Sequence, residues 1–593
     1  MAPSFKSILF SLFKPRPRRH GPITPRDMVP ANPARPSMAA LDYDVLLLIM
    51  SYVAQLDPES LKNMSLACSG LYGAARFFQY SETRINVASD RAAESLQLVQ
   101  TNYLAAVRSL HVTGCHIQDW DDTQPPSDRP VLAARERERD AWTTVGNLVP
   151  QMENLRHLHW SGSAIPDAVL DHLEQNSRIQ LHLTLHVTLG RGATWQQTAP
   201  RLKQLQGRIA PNLASADITV SYIYPPFCTP VAHALRDLFL ASPNLTAISL
   251  DIAPPRTDCI IHDRSRHRCG LGYTGGASLP PLHSLTITGY PFEIIPSTNL
   301  WECPRSLEME YWARHTNWSA LRHLELHCVR GHTEAIFLAK DLAPHLTARF
   351  KSAKFVRPPR NSMALGPDYL GPFFANLPPA VRLDELDISC FDALPYATDL
   401  LYDTALRTTP PLSSLRSLTL HRDPVCAREV ALLREAFPRL ERLSIVCCAG
   451  APGEGEEREC WAGGQWVAVF VELGWWEALR ELEVAFVPQR GLRGVWFDRE
   501  RAGGLVAGLN SESEGLSTAR LRRMRFWVGV ERQKGDDAVG MMGPRRRGPR
   551  EGFEWVRDEG KGKIKGLVEV EGAATREDGE VGGWYHDVWD GRW

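Results

Sequence analysis

The segment between residues 253 and 281 contains side chains that could bind a metal ion. Cys259, His262, His267 and Cys269 offer thiols and imidazoles, which are ligand types that zinc prefers. The spacing C-x2-H-x4-H-x-C matches no zinc module, and His267 and Cys269 are too close in sequence for two ligands of one tetrahedral site. We therefore predict that no metal is bound here and that the protein uses no cofactor.

The same segment contains GLGYTG, from Gly270 to Gly275, which matches the glycine spacing of dinucleotide-binding loops. That spacing has meaning only between a strand and a helix, where the helix N-terminus faces a pyrophosphate. Here RSRHRC precedes the glycines and GASLPP follows them, so neither flank fits. We predict a flexible loop.

Catalytic motifs are absent from the sequence. It has no G-x-S-x-G, no G-x-x-x-x-G-K-[ST] and no H-E-x-x-H. His157, His159, His323 and His327 occupy alternate positions of predicted strands, and no nucleophile or carboxylate accompanies them at a fixed spacing. We expect them to face solvent, and we predict that the chain is not an enzyme.

Three helix signals follow one another between residues 41 and 85. Asp42 or Asp44 can cap the first helix, whose apolar residues cover more than one face. Asp57 followed by Pro58 is a start signal for the second helix, and Ser69 can open the third. Three helices in about 40 residues are at the lower limit for an independent core, so a partner chain would complete it.

This stretch resembles an F-box of the large fungal families. The resemblance rests on Leu41, on VLLLIMSYV from Val45 and on DPESLKNMSLACSGLYGAAR from Asp57, with Leu41-Asp42 in place of the family's usual Leu-Pro. The F-box is a three-helix module that docks on the Skp-type adaptor of a cullin–RING ubiquitin ligase. The resemblance therefore implies adaptor contacts by the apolar side chains of Leu41, Val45, Leu46, Ile49, Leu66 and Leu71. The alternative is a small helical cap on the elements that follow.

A second pattern, apolar-x-x-apolar-x-apolar, recurs along the chain. The last three positions alternate as in a half-buried strand, and helical stretches precede several copies. The pattern resembles the leucine-rich repeat, which implies an irregular horseshoe with strands on its concave side. The ten copies are VRSLHV at 107, LRHLHW at 155, LTAISL at 245, LHSLTI at 282, LRHLEL at 321, LDELDI at 383, LRSLTL at 415, LERLSI at 440, LRELEV at 479 and the weaker LRRMRF at 521.

These patterns predict an α/β chain with four regions. Residues 1–40 form a disordered tail, 41–85 the F-box-like module, and 86–490 a repeat solenoid with insertions at 119–140 and 253–281. Residues 491–593 contain the weak last repeat and a flexible tail rich in Gly, Arg and Glu. Cysteines at the eighth or ninth positions of repeats are interpreted as small buried hydrophobes; these are Cys115, Cys328, Cys390, Cys447 and Cys448.

Composition limits the location and the partners. A net charge of −1 argues against a general nucleic-acid or membrane-surface role. No apolar run approaches the roughly 18 residues that a membrane span needs. The 12 cysteines, with no secretory signal before them, predict a reducing compartment and hence a cytoplasmic or nuclear location.

The leucines of each repeat should point inwards, so the third and fifth positions should face the concave side and bind a target protein. Two rows are purely acidic, which favours a basic stretch on the target. The sequence thus predicts the substrate-recognition subunit of an SCF-type ubiquitin ligase, with a repeat scaffold outside any ligase as the alternative. The predicted target-binding residues are His157, His159, His323, Glu325, Glu385, Asp387, Arg442, Glu481 and Glu483.

Overall fold

The computed structural model divides the chain into two compact units, Met1–Ser81 and Glu82–Trp593. The predicted tail at 1–40 and the candidate zinc ligands lie outside the residues that the structure describes. Those residues are 42–56, 58–66, 69–89, 91–102, 104–115, 129–162, 165–189, 194–222, 229–253, 271, 273, 276, 278–288, 307–327, 337–356, 370–388, 412–420, 425–448, 469–470, 472–473, 475–487, 523–528, 551–557 and 564–571.

The described part of the first unit contains three helices: α1 (Tyr43–Leu56), α2 (Pro58–Ser65) and α3 (Ser69–Ser81). Each packs against the other two. Proline at the first position of α2 suits a helix start, because its missing N–H would have no partner there. The small interior contains Leu46, Met50, Val53, Leu61, Met64, Leu71, Ala74 and Ala75.

The described residues of the second unit form one sheet of 16 strands, whose spatial order follows the chain from first to last. Strands β1 to β14 are parallel, and β14–β15 and β15–β16 pair antiparallel. The predicted α/β class is confirmed. The strands are β1 Glu82–Asn86, β2 Ser109–Cys115, β3 His157–Gly162, β4 Gln180–Leu189, β5 Leu213–Tyr222, β6 Ala247–Ala253, β7 Ser284–Thr288, β8 His323–His327, β9 Ser352–Val356, β10 Glu385–Ile388, β11 Ser417–Leu420, β12 Arg442–Cys448, β13 Glu481–Val487, β14 Arg523–Val528, β15 Glu551–Arg557 and β16 Ile564–Glu571.

Helices connect many of the parallel strands, because a parallel pair requires a crossover. Along the first half of the sheet, successive helices pack against each other. The helices that the structure describes in this unit are α4 Ala92–Asn102, α5 Arg129–Leu148, α6 Asp167–Gln175, α7 Thr194–Ile209, α8 Thr229–Ala241, α9 Leu307–His315, α10 Leu370–Ala375 and α11 Ala427–Ala436. Short 3-10 or π turns occur at Leu104–Ala106, Val149–Gln151, Trp318–Ala320, Phe337–Leu342 and Ala343–His345.

All ten copies of the apolar pattern coincide with strands, and burial alternates along most of them; in β11 Ser417 is buried beside Leu418. In β3, Leu158 and Trp160 are buried while His157 is exposed and His159 is half-buried. The buried residues join one continuous core from Ile85 to Met524. One face of the sheet therefore packs against this core, and the other, the polar face, presents the third and fifth positions.

Polar side chains in the turns before several strands bond to the preceding turn. Asn154 donates to the carbonyl of residue 105, Asn244 to that of residue 211, and Thr347 to that of residue 319. Asn212 is 3% exposed and donates 2.9 Å bonds to the carbonyls of Asn176 and Ile179. These bonds satisfy turn carbonyls that lie away from the strand ladder, and so they link neighbouring strand-and-helix units.

Three predicted regions differ in detail from the structure. Residues 82–85 belong to the sheet as part of β1. Leu271 and Tyr273 of the predicted flexible loop are buried in the sheet's core, where Tyr273 stacks on Tyr311 at 4.3 Å. The predicted flexible tail contributes β15 and β16.

Candidate functional site

The three-helix unit exposes apolar side chains to an unusual degree. Six large hydrophobic residues are exposed in the described part of the chain, and five of them lie on or beside these helices. Exposed apolar patches of this kind mark interaction surfaces in soluble proteins. We call these five the exposed apolar set: Val45 at 43%, Leu48 at 57%, Tyr52 at 50%, Leu66 at 78% and Tyr72 at 42%.

Helix α1 presents two apolar stripes. Leu46, Met50 and Val53, spaced four and three residues apart, enter the interior. Val45, Leu48 and Tyr52, spaced three and four apart, form a second stripe on a different side of the helix. The helix is thus apolar on the side that its own unit covers and on a side that its own unit leaves open.

Helix α3 adds an aromatic and cationic surface. The Arg76 guanidinium lies 5.0 Å from the ring centre of Tyr72 and 5.7 Å from that of Tyr80. Arg76 Nη1 also donates a 2.8 Å hydrogen bond to the Tyr80 hydroxyl. These contacts hold the side chains of Tyr72 and Arg76 in place at the surface of the helix.

The six predicted adaptor-contact residues differ in how far they are exposed. Val45 and Leu66 are exposed, and Ile49 is half-buried against the small interior. Leu46 and Leu71 are each 3% exposed and form part of that interior, so they stabilise the helices instead of offering a contact surface. Leu41 lies outside the described residues. Leu48, Tyr52 and Tyr72, which the sequence prediction did not include, are exposed.

On the polar face of the sheet, parallel register aligns histidines from three neighbouring strands. His111 of β2 lies opposite His159 of β3, and His159 lies opposite His182 of β4. The first two rings stack at 3.9 Å and 2°, and the second two at 4.2 Å and 10°. We call these three residues the histidine ladder. Only His159 was predicted as a site residue, because the other two become neighbours through strand pairing.

Polar groups surround the ladder. His111 Nε2 lies 3.5 Å from a carboxylate oxygen of Glu82, and His182 Nδ1 lies 2.8 Å from Ser215 Oγ. His157, the other predicted histidine of β3, has Nδ1 3.5 Å from His182 Nε2. The ladder is therefore linked to β1 on one side and to β5 on the other.

Burial and proximity keep the ladder uncharged at neutral pH. Burial of the ring, followed by the charges of His182 and His111, lowers the pKa of His159 from 6.5 to about 4. Burial also lowers the pKa of His111, against the opposing charge of Glu82. The pKa of His182 is lowered by burial and then by the charge of His157. Close imidazoles disfavour one another's protonation because like charges would lie about 4 Å apart.

The predicted acidic rows lie beside basic side chains. Asp387 of β10 is opposite Lys354 of β9, and Lys354 pairs with Glu325 of β8 at 2.7 Å. Glu385 accepts a 3.3 Å bond from Ser352 Oγ. The predicted acidic surface is thus interrupted by cationic and hydroxyl groups, because neighbouring strands contribute opposite charges.

Charge alternates further along the same face. Glu481 of β13 lies opposite Arg442 of β12 and Arg523 of β14, and Glu483 lies opposite Arg525. These strands border a groove of about 320 Å³, which Ser417, Thr419 and Ser444 also line. His323 is exposed in the same row as the ladder, between Ser284 and Ser352.

The described residues contain neither a cluster of metal ligands nor a membrane-spanning helix. Within those ranges no three His, Cys, Asp or Glu side chains converge as metal ligands would. No helix of the described part is long and apolar enough to cross a bilayer. Cys426 belongs to no disulfide and is the N-cap residue of α11. Of the cysteines predicted to be buried, Cys328 and Cys390 and the side chains of Cys115, Cys447 and Cys448 lie outside what the structure describes.

No protein-family model and no curated protein matches the chain.

Proposed function

We propose that this protein is the substrate-recognition subunit of a cullin–RING ubiquitin ligase of the SCF type. In this proposal the helices α1 to α3 are an F-box that binds a Skp-type adaptor, and the polar face of the sheet binds a target protein. The observation that supports it most is the exposed apolar set, which gives a three-helix unit with a small interior a second apolar surface.

We further propose that the second unit is a leucine-rich-repeat solenoid. Support comes from strands that pair in chain order, from buried apolar hexad positions and from polar turn residues that bond to the preceding turn. Such solenoids present a row of strand residues for recognition. Its mixed charges would suit a target segment that itself alternates in charge, in place of the purely basic stretch expected from the acidic rows alone.

In this role the chain catalyses nothing. It holds the target near the ubiquitin-transfer machinery, which raises the effective concentration of the target lysines. The location that fits this role is the cytoplasm, the nucleus or both, and neither nucleic acid nor membrane is a partner in it.

Co-expression with a Skp-type adaptor tests the proposal. We expect the adaptor to co-purify with the full chain and to be lost when residues 43–81 are deleted. The deletion removes every residue of the first unit's interior and none of the second unit. The truncated chain should therefore still give the circular dichroism spectrum of a folded second unit. Failure to recover the adaptor with the full chain, or equal recovery after the deletion, would favour a repeat scaffold with no ligase role.

A further inference from the structure

The polar face of β1 to β4 is rich in groups that gain charge when the pH falls. Five imidazoles and one guanidinium point outwards from these strands, and one carboxylate accompanies them. We call this set the histidine face: Glu82, Arg84, His111, His157, His159, His182 and His186. The Glu82 carboxylate accepts a 2.8 Å bond from Arg84, so the one anionic group already has a cationic partner.

We propose that the histidine face is a proton-controlled docking surface for an acidic segment of a partner protein. The face is close to neutral when its imidazoles are uncharged, because Arg84 balances Glu82. It gains positive charge as His111, His159 and His182 protonate, with no carboxylate on β1 to β4 other than Glu82 to offset that charge. On the neighbouring strand β5, Asp217 lies opposite Thr184, which is the next outward-facing residue of β4 after His182.

Geometry couples proton uptake to binding. Protonated rings stacked at 3.9 and 4.2 Å repel each other, so the free face resists charging. Carboxylates laid across the ladder would offset that repulsion and raise the pKa values of its histidines. Binding and protonation then favour each other, and affinity rises as pH falls. Aspartate and glutamate side chains of the partner stay ionised down to about pH 4.5, and an unperturbed histidine protonates below about pH 6.5. We therefore expect proton-linked binding between these two pH values.

The inference deepens the proposed role of the sheet in target binding and does not involve the adaptor. We would measure binding of a fluorescein-labelled poly-glutamate peptide to the full chain by anisotropy, at low salt. We expect affinity to increase at least about tenfold between about pH 7.5 and 5.5, since linked uptake of one proton changes affinity by up to tenfold per pH unit. A poly-lysine peptide should show no such gain.

Variants separate the ladder from other sources of charge. The double variant His159→Gln, His182→Gln should lose most of the gain, whereas His345→Gln, an exposed histidine outside the strands, should retain it. Thermal unfolding at neutral pH shows whether each variant is folded.

Three results would overturn the inference: equal peptide affinity at both pH values, an undiminished gain in the folded double variant, or tighter binding at neutral pH. The last would mean that the uncharged stack is the docking form. Adaptor recovery with the same protein preparation is a separate readout. If the peptide does not bind but the adaptor is retained, the inference fails and the proposed function stands.

Discussion

Acid should loosen the strands that contain the histidine ladder. His159 lies between His111 and His182, and its pKa of about 4 in the fold is below the 6.5 of an unperturbed histidine. Between these values the unfolded chain binds a proton that the folded chain does not. The stabilising contribution is therefore complete above about pH 6.5 and is lost as the pH falls towards 4.

The size of the effect follows from the same pKa difference. The difference between 6.5 and about 4 corresponds to at most about 3 kcal/mol for His159. Because the ring is only half-buried, solvent screening reduces this to roughly 1 kcal/mol. Opening of β2 to β4 should then become about fivefold more frequent at pH 4.5 than at pH 7, since 1.4 kcal/mol is a factor of ten.

Hydrogen exchange of peptides from β2 to β4, corrected for the intrinsic pH dependence of exchange, measures this opening. His159→Gln should remove most of the pH-dependent change, and His345→Gln should not. An identical loss of protection in wild type and His159→Gln on acidification would refute the reasoning, because other titrating groups would then be responsible.

Three further tests, each built on one or two substitutions, concern the packing of the sheet. Gly114 has a φ of +84°, and a Cβ there would lie 2.9 Å from the backbone nitrogen of Ala88, so Gly114→Ala should lower the unfolding free energy by about 2 kcal/mol in urea titrations. Asn212→Ala removes the side-chain donor to the Asn176 and Ile179 carbonyls, of which that of Asn176 still accepts from the Ile179 N–H, and should cost about 2 kcal/mol, whereas Asn244→Ala at an exposed turn should cost less than half of that. Glu483→Lys places a cation opposite Arg525 and should destabilise β13–β14 by about 0.5–1 kcal/mol. Adding Arg525→Glu to the same chain should restore most of this loss. No recovery in this double-mutant cycle would show that the two side chains do not interact.

The leucine pattern predicted ten strands but missed several that lie between its copies. In β5 the corresponding positions are Leu213, Ala216 and Ile218, and in β9 they are Phe350, Ala353 and Phe355. Alanine at the middle position is buried to the same extent as leucine, because large neighbours fill the space around it. The ten copies found in the sequence all have a large apolar residue at the fourth position, so segments with alanine there were passed over.

Site residues were harder to predict because they depend on contacts between segments distant in sequence. The histidine ladder combines His111, His159 and His182, and only the parallel register brings them together. The acidic rows looked isolated because Arg523 and Arg525 belong to a strand far along the chain. In α1 the periodicity predicts an apolar helix, but which stripe is buried depends on the packing of α2 and α3.

Adaptor binding by variants of α1 tests the central claim most directly. Leu48 is 57% exposed, so Leu48→Asp should leave the three helices folded. The substitution removes about 1–2 kcal/mol of apolar burial and places a charge in the interface, so adaptor affinity should fall by more than about tenfold. Trp475→Asp, at an exposed aromatic residue of the second unit, is the matched control and should bind the adaptor as wild type does. Calorimetry with purified Skp-type adaptor that gives the same affinity for wild type and folded Leu48→Asp, or no binding by wild type, would contradict the account.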